Sequence, residues 1–139
     1  MAPVLLAADG SDYARSAATA AIDHAADLGE DLHVLCVVDT RVHGEPGLST
    51  GELTAIEAED RAHDFVDEIR DAATRRDIAV DGRVVHGIPV DEILAYADDL
   101  DADPIVVGEH GDHDVHLGGV GRRVAGRTDR NVLVAPAPA

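Results

Sequence analysis

The chain has no lysine and no tryptophan, and it carries one cysteine, one phenylalanine and two tyrosines. A lone cysteine, Cys36, excludes an intramolecular disulfide, and its place in the apolar run "LHVLCVV" (32–38) marks it as core filler. Aromatic residues make up 2% of a chain that is 45% hydrophobic, so the core has to be built from Val, Ile, Leu and many Ala, packed through small faces. No uncharged apolar run approaches the ~18 residues of a membrane span. The N-terminus "MAPVLLAADGSD" meets an acid too early for a signal peptide, which places the protein in the cytoplasm with no membrane partner. Without lysine, all 11 basic residues are arginines, set against 28 acids, for a formal net charge of −17. So anionic a surface repels phosphodiester backbones, and nucleic acid is not an expected partner. The acids are interleaved with apolar residues of regular period. That pattern describes a folded surface suited to concentrated salt rather than a disordered acidic tail.

The 139 residues fit one domain, 1–139, large enough to close a core unaided. Five β-type runs recur at 3–8, 32–38, 78–85, 104–108 and 131–135. Most are continuously apolar, the mark of strands covered on both faces; the third, with Asp81 and Gly82 in its middle, is the most edge-like. Helical periodicity returns between them. Ala14, Ala17, Ala18, Ala21, Ile22, Ala25 and Leu28 form a stripe that Gly29 stops, and Leu53, Ile56, Phe65, Val66, Ile69 and Ala73 form a longer one. Val90, Ile93, Leu94, Ala97 and Leu100 make a third, and Leu117, Val120 and Val124 a short fourth. Strict alternation with right-handed crossovers predicts an α/β fold, a doubly wound five-stranded parallel sheet of Rossmann-like form with helices on both faces. Ligands in such sheets bind beyond the carboxyl ends of the strands where the strand order reverses, so the loops after Ala8 and Val107 are expected to meet in one crevice. The long connection 41–50, "RVHGEPGLST", reads as a flap over it.

Two loops carry the chemistry. In "AADGSDYARS", Asp9 falls at the end of the first strand, Gly10 permits a sharp turn and Ser11 is a natural helix cap. Asp9 serves either a ligand's ribose, amine or cation, or only the positive end of the following helix. In "VVGEHGDHDVHLGGVGRR" (106–123), Gly108, Gly111 and Gly121 open the backbone so that main-chain N–H groups approach phosphate oxygens, and a helix start adds favourable partial charge. The loop is no Walker sequence, which needs a Gly-Lys-Ser/Thr end, and its glycine spacing is not that of a dinucleotide fingerprint. His110, His113 and His116, with Asp112 and Asp114 between them, hold enough donors for a transition metal, but in no zinc spacing; no metal site is assigned. Arg122, Arg123, Arg127 and Arg130 are the only basic concentration, either an anion-facing patch or ordinary surface arginines. No nucleophile, base and orienting group stand together, so a dedicated catalyst is not expected. Phosphorylation at Asp9 in the manner of response regulators lacks its acidic pair and its lysine.

Residues 4–135 resemble a universal stress protein domain. "VLLAADGSDYARSA" is similar to that family's first strand and turn, "LHVLCVVD" to its second strand, "VVHGIPVDEILAYADDLDADPIVVGEHG" to its third-to-fourth segment and "NVLVAPA" to its last strand. The family's G-x2-G-x9-G motif is met by Gly108, Gly111 and Gly121, but its following Ser or Thr is replaced by Arg122. The resemblance implies a stress-response or signalling module that binds adenine nucleotide, ATP or AMP, with magnesium as a possible companion ion and slow ATP hydrolysis as the most it would catalyse. Asp9 would lie near the ribose with Gly10 and Ser11 in its turn, the Val37 backbone near the adenine, and Gly108, His110, Gly111, Gly121, Arg122 and Arg123 around the phosphates. Arg122 either pairs with a phosphate or points away and weakens the site. The alternative is a homodimeric interaction protein of the same fold that binds no nucleotide. Either way the last run, "NVLVA", an apolar edge without lysine, is expected to pair with its copy in a homodimer, limited by Pro136 and Pro138.

Overall fold

The computed structural model describes residues 2–8, 12–39, 49–108 and 119–135, and within them the side chains of all but 12–15, 39, 49–58 and 119–122. The elements run β1 (Val4–Ala8), α1 (Asp12–Leu28), β2 (Leu32–Asp39), α2 (Ser49–Thr74), β3 (Val80–Gly87), α3 (Pro89–Leu100), β4 (Ile105–Gly108), α4 (Gly119–Gly126) and β5 (Val132–Ala135). All five strands are parallel, in the order β3-β2-β1-β4-β5. This is the doubly wound sheet expected from the alternating pattern, with the edge-like third run at an edge.

Side-chain alternation sorts the core into two layers. Val4, Leu6, Leu32, Val34, Cys36 and Val106 face one way, against the alanine stripe of α1 and Phe65, Val66 and Ile69 of α2. Leu5, Ala7, Leu35, Ile105 and Val107 face the other, against Val90, Ile93, Tyr96 and Ala97 of α3 and Val124 of α4. Each fully buried Leu, Ile or Val contributes about 1.5–3 kcal/mol of transfer free energy. Ala17, Ala21 and Ala25 are fully buried, so the backbone of α1 lies close on the sheet in place of large aromatic contacts. Leu28 departs from its expected stripe. It is 46% exposed in the last turn of α1, one turn beyond Ala25, the last buried residue of that stripe.

Three helices end alike. Gly29 (φ 67°) closes α1, its N–H donating to Ala26 O while Glu30 N–H donates to Ala25 O. Asp77 (φ 58°) closes α2 with the same pair of bonds, to Thr74 O from its own N–H and to Ala73 O from Ile78, and Asp101 (φ 54°) closes α3 with bonds to Asp98 O and, through Ala102, to Ala97 O. This is the Schellman termination, with aspartate twice taking the left-handed position that glycine usually fills. It also corrects the third strand. The run at 78–85 was expected to be extended throughout, but Ile78 is used to close α2, and pairing starts at Val80 and continues to Gly87. Of the expected flap, 41–48 lies outside the described residues, while Ser49 and Thr50 open α2.

Candidate functional site

The strand order reverses between β1 and β4, whose neighbours β2 and β5 lie on opposite sides. Ala7 pairs with Val107, so the last described residues of the two strands, Ala8 and Gly108, lie side by side at the carboxyl end of the sheet. Asp9, Gly10, Ser11, His110 and Gly111 lie outside the described residues, as do His113, His116, Asp112 and Asp114.

Strand length gives this crevice a wall. Ala8, the last residue of β1, is opposite Cys36, while β2 continues through Val37 and Val38 to Asp39, still paired with β3 up to Gly87. At about 3.3 Å per residue Asp39 lies roughly 10 Å beyond the level of Ala8, the last described residue of β1. Along this overhang, the main-chain groups of β2 that face the β1 side have no strand partner among the described residues. Val37 is the first residue of the overhang, and its side chain is half-buried against the α3 layer. The overhang was missed as a feature in the sequence, although its signal is there: the second apolar run is longer than the first.

The next described element after β4 is α4 (Gly119–Gly126). Gly121 is its third residue and Arg122 its fourth, so both sit in the first turn, where unpaired N–H groups and the positive end of the helix favour an anion. Val124, fully buried, pins the helix to the sheet. Arg123 is exposed. The other two arginines of the basic concentration are committed elsewhere. Arg127 Nη1 donates to Asp91 Oδ1 at 3.1 Å; Arg130 donates through Nη1 to Asp101 Oδ1 at 2.7 Å and through Nε to Asp98 Oδ1 at 3.2 Å. The hydrogen bond to Asp101 is the main reason the Arg130 guanidinium is raised above its ordinary pKa. It offsets two acids at the carboxyl end of α3, where the helix dipole disfavours negative charge. Among the described residues, no group of three or more histidines, cysteines or acids forms a metal site, and no charged side chain is buried.

Compared with known families, residues 1–136 match the universal stress protein family. The chain belongs to that family. Universal stress protein MJ0531 of Methanocaldococcus jannaschii is 27% identical over 139 residues, covering 97% of this chain and 82% of the relative. Universal stress protein UspA from Lactobacillus plantarum has 25% identity and a TM-score of 0.86, over 96% of this chain and 97% of that one. Two further solved relatives, each 23% identical, share the fold. One is a universal stress protein in complex with cAMP (TM-score 0.74, covering 99% and 98% of the two chains), the other a universal stress protein from Archaeoglobus fulgidus in complex with dAMP (0.68, covering 96% and 97%). No helix among the described residues of this universal stress protein is long and apolar enough to cross a membrane.

Proposed function

We propose that this universal stress protein binds an adenine nucleotide, ATP or AMP, across the crevice between β1 and β4 and works as a nucleotide-responsive module rather than a dedicated catalyst. The observation that carries the reading is the overhang of β2. Its main-chain edge from Val37 onward, without a strand partner among the described residues, suits the edge of a base, and the first turn of α4 at Gly121 suits phosphate. The cAMP and dAMP complexes of two relatives of the same fold support this choice of ligand class. In this reading Asp9 accepts from the ribose, Gly108, Gly111 and Gly121 present main-chain N–H groups, and Arg122 takes the place of the family's hydroxyl by pairing with a phosphate. Magnesium accompanies ATP, since the chain already carries a net charge of −17.

The protein is proposed to act in the cytoplasm as a homodimer joined through β5. That strand ends the sheet with four apolar residues and no charge, and Val134 is 41% exposed.

Calorimetric titration of ATP and AMP in high salt, with and without magnesium, tests the nucleotide reading. Binding that Asp9→Ala abolishes, that Arg122→Ala weakens by tenfold or more, and that His113→Ala leaves intact is the expected result; no heat and no thermal shift with either nucleotide would refute it. The homodimer is tested separately, by its mass in solution.

A further inference from the structure

The end of the sheet opposite the crevice carries a polar cluster that nucleotide binding does not use. His33 is the second residue of β2 and pairs in register with Asp81, the second residue of β3; Arg83 lies two residues further along the same face. Tyr96, 8% exposed, descends on them from α3, its hydroxyl 3.3 Å from His33 Nδ1. The Asp81 carboxylate (Oδ2) stands 3.8 Å from that same nitrogen. The Arg83 guanidinium lies 5.0 Å from the centre of the Tyr96 ring, which meets the imidazole edge-on. On the other side of β2 the neighbour of His33 is Leu5, which has no charge. Among the described residues, the titratable and charged groups facing His33 are Asp81 and Arg83 from β3 and Tyr96 from α3.

Two partners compete for one nitrogen. A buried hydroxyl needs an acceptor, and imidazole offers one at Nδ1 only when it is neutral with its proton on Nε2. Burial holds the Tyr96 phenol above its ordinary pKa, with Asp81 adding to the effect, so the phenol keeps its proton and is the donor. Protonated imidazole has two N–H groups and no acceptor, so the Tyr96 proton then has nowhere to go at Nδ1. The carboxylate does. The Asp81 side chain is 68% exposed and free to close the 3.8 Å gap to a charge-assisted hydrogen bond.

We propose that His33 is a proton-operated switch between α3 and the β3 edge: neutral, its Nδ1 accepts from the Tyr96 hydroxyl; protonated, its Nδ1–H donates to Asp81 and the hydroxyl is released. The step takes one proton from solvent onto Nδ1 and changes no covalent bond between heavy atoms. Arg83 remains cationic in both states and keeps its hold on the face of the released ring. As a residue type, histidine changes charge between about pH 5 and 8.

Imidazole proton–nitrogen spectra of the full chain, recorded across that interval, test this directly. In neutral His33 the proton is expected on Nε2 with Nδ1 bare, and an Nδ1–H appears on acidification. Tyr13→Phe leaves Tyr96 as the single fluorophore of a chain without tryptophan, and its emission should step with the same midpoint. Asp81→Asn should move the His33 midpoint to lower pH and Tyr96→Phe to higher pH, each by about half a pH unit. A neutral His33 protonated at Nδ1, an emission that ignores the His33 titration, or midpoints that move the same way in both variants overturns the proposal. The first two results need no change within the cluster, so a poorly folding variant does not shield it.

Discussion

The edge formed by β3 runs for eight residues and exposes Asp81, Arg83 and His86, whereas the edge formed by β5 runs for four and carries only Val132, Leu133, Val134 and Ala135. Among the described residues neither edge has a strand partner on its outer side. On β3 the charges deter a second strand, and the helix beneath is drawn close because Gly82 has no side chain: a Cβ there would collide with the Val66 side chain of α2. On β5 the described residues offer no such charge. The difference teaches that the two edges of one sheet can be given opposite character, charged at one and uncharged at the other, by local composition alone. In a chain with 28 acids, an uncharged stretch of edge is the conspicuous one.

The sharpest way to break the contrast is to charge the open edge. Val134→Lys should weaken self-association about hundredfold, because a twofold interface brings the two ammonium groups together, while His86→Lys on the guarded edge leaves it unchanged; sedimentation equilibrium over a range of concentrations reads both. Next comes Gly82→Ala. Val66 is 5% exposed and has no room to retreat, so the extra methyl group should cost about 2 kcal/mol in urea unfolding.

A smaller effect sits behind the guarded edge, at Tyr96. Its folded-state pKa is raised by burial, then by Asp81, against a lowering by Arg83. The folded chain therefore holds the phenolic proton more tightly than the unfolded chain does. The associated stability is intact below the ordinary tyrosine value of about 10 and is lost as pH rises through the folded value. Thermal unfolding followed from neutral to strongly alkaline pH should show a declining limb that flattens in Tyr96→Phe. The smallest effect is expected at the entrance to the open edge. Arg130→Ala removes the link from just before β5 to Asp98 and Asp101 of α3, and the melting temperature should fall slightly, with the difference shrinking as salt is added.

The architecture was legible because it rests on period and order. Runs apolar on both faces gave parallel strands, and the alanine stripe of α1 gave a close-lying helix. Boundaries were less legible where one residue had two possible uses. Ile78 fits a strand by type, but it is taken by the end of α2 through Asp77, and an aspartate in a left-handed turn leaves a weaker trace in sequence than glycine does. At the candidate site, topology located where the loops after β1 and β4 begin, while most of the glycine-rich loop lies outside the described residues. The overhang of β2, by contrast, depends on how far two strands outrun a third, a relation between segments distant in sequence. The arginines divide similarly: Arg127 and Arg130 have partners 36 and 29–32 residues away, which no local pattern announces. Tyr96 escaped the apolar stripe of α3 because its partners, His33 and Arg83, come from two different strands.

Cys36, 1% exposed, lies on the inner β2 strand where that strand draws level with the end of β1. Being the chain's sole thiol, it makes the molecule its own opening gauge. An alkylating reagent added in excess can reach the sulfur only when the central strands part, so the rate of labelling clocks that excursion, and any compound that tightens the domain should slow the clock.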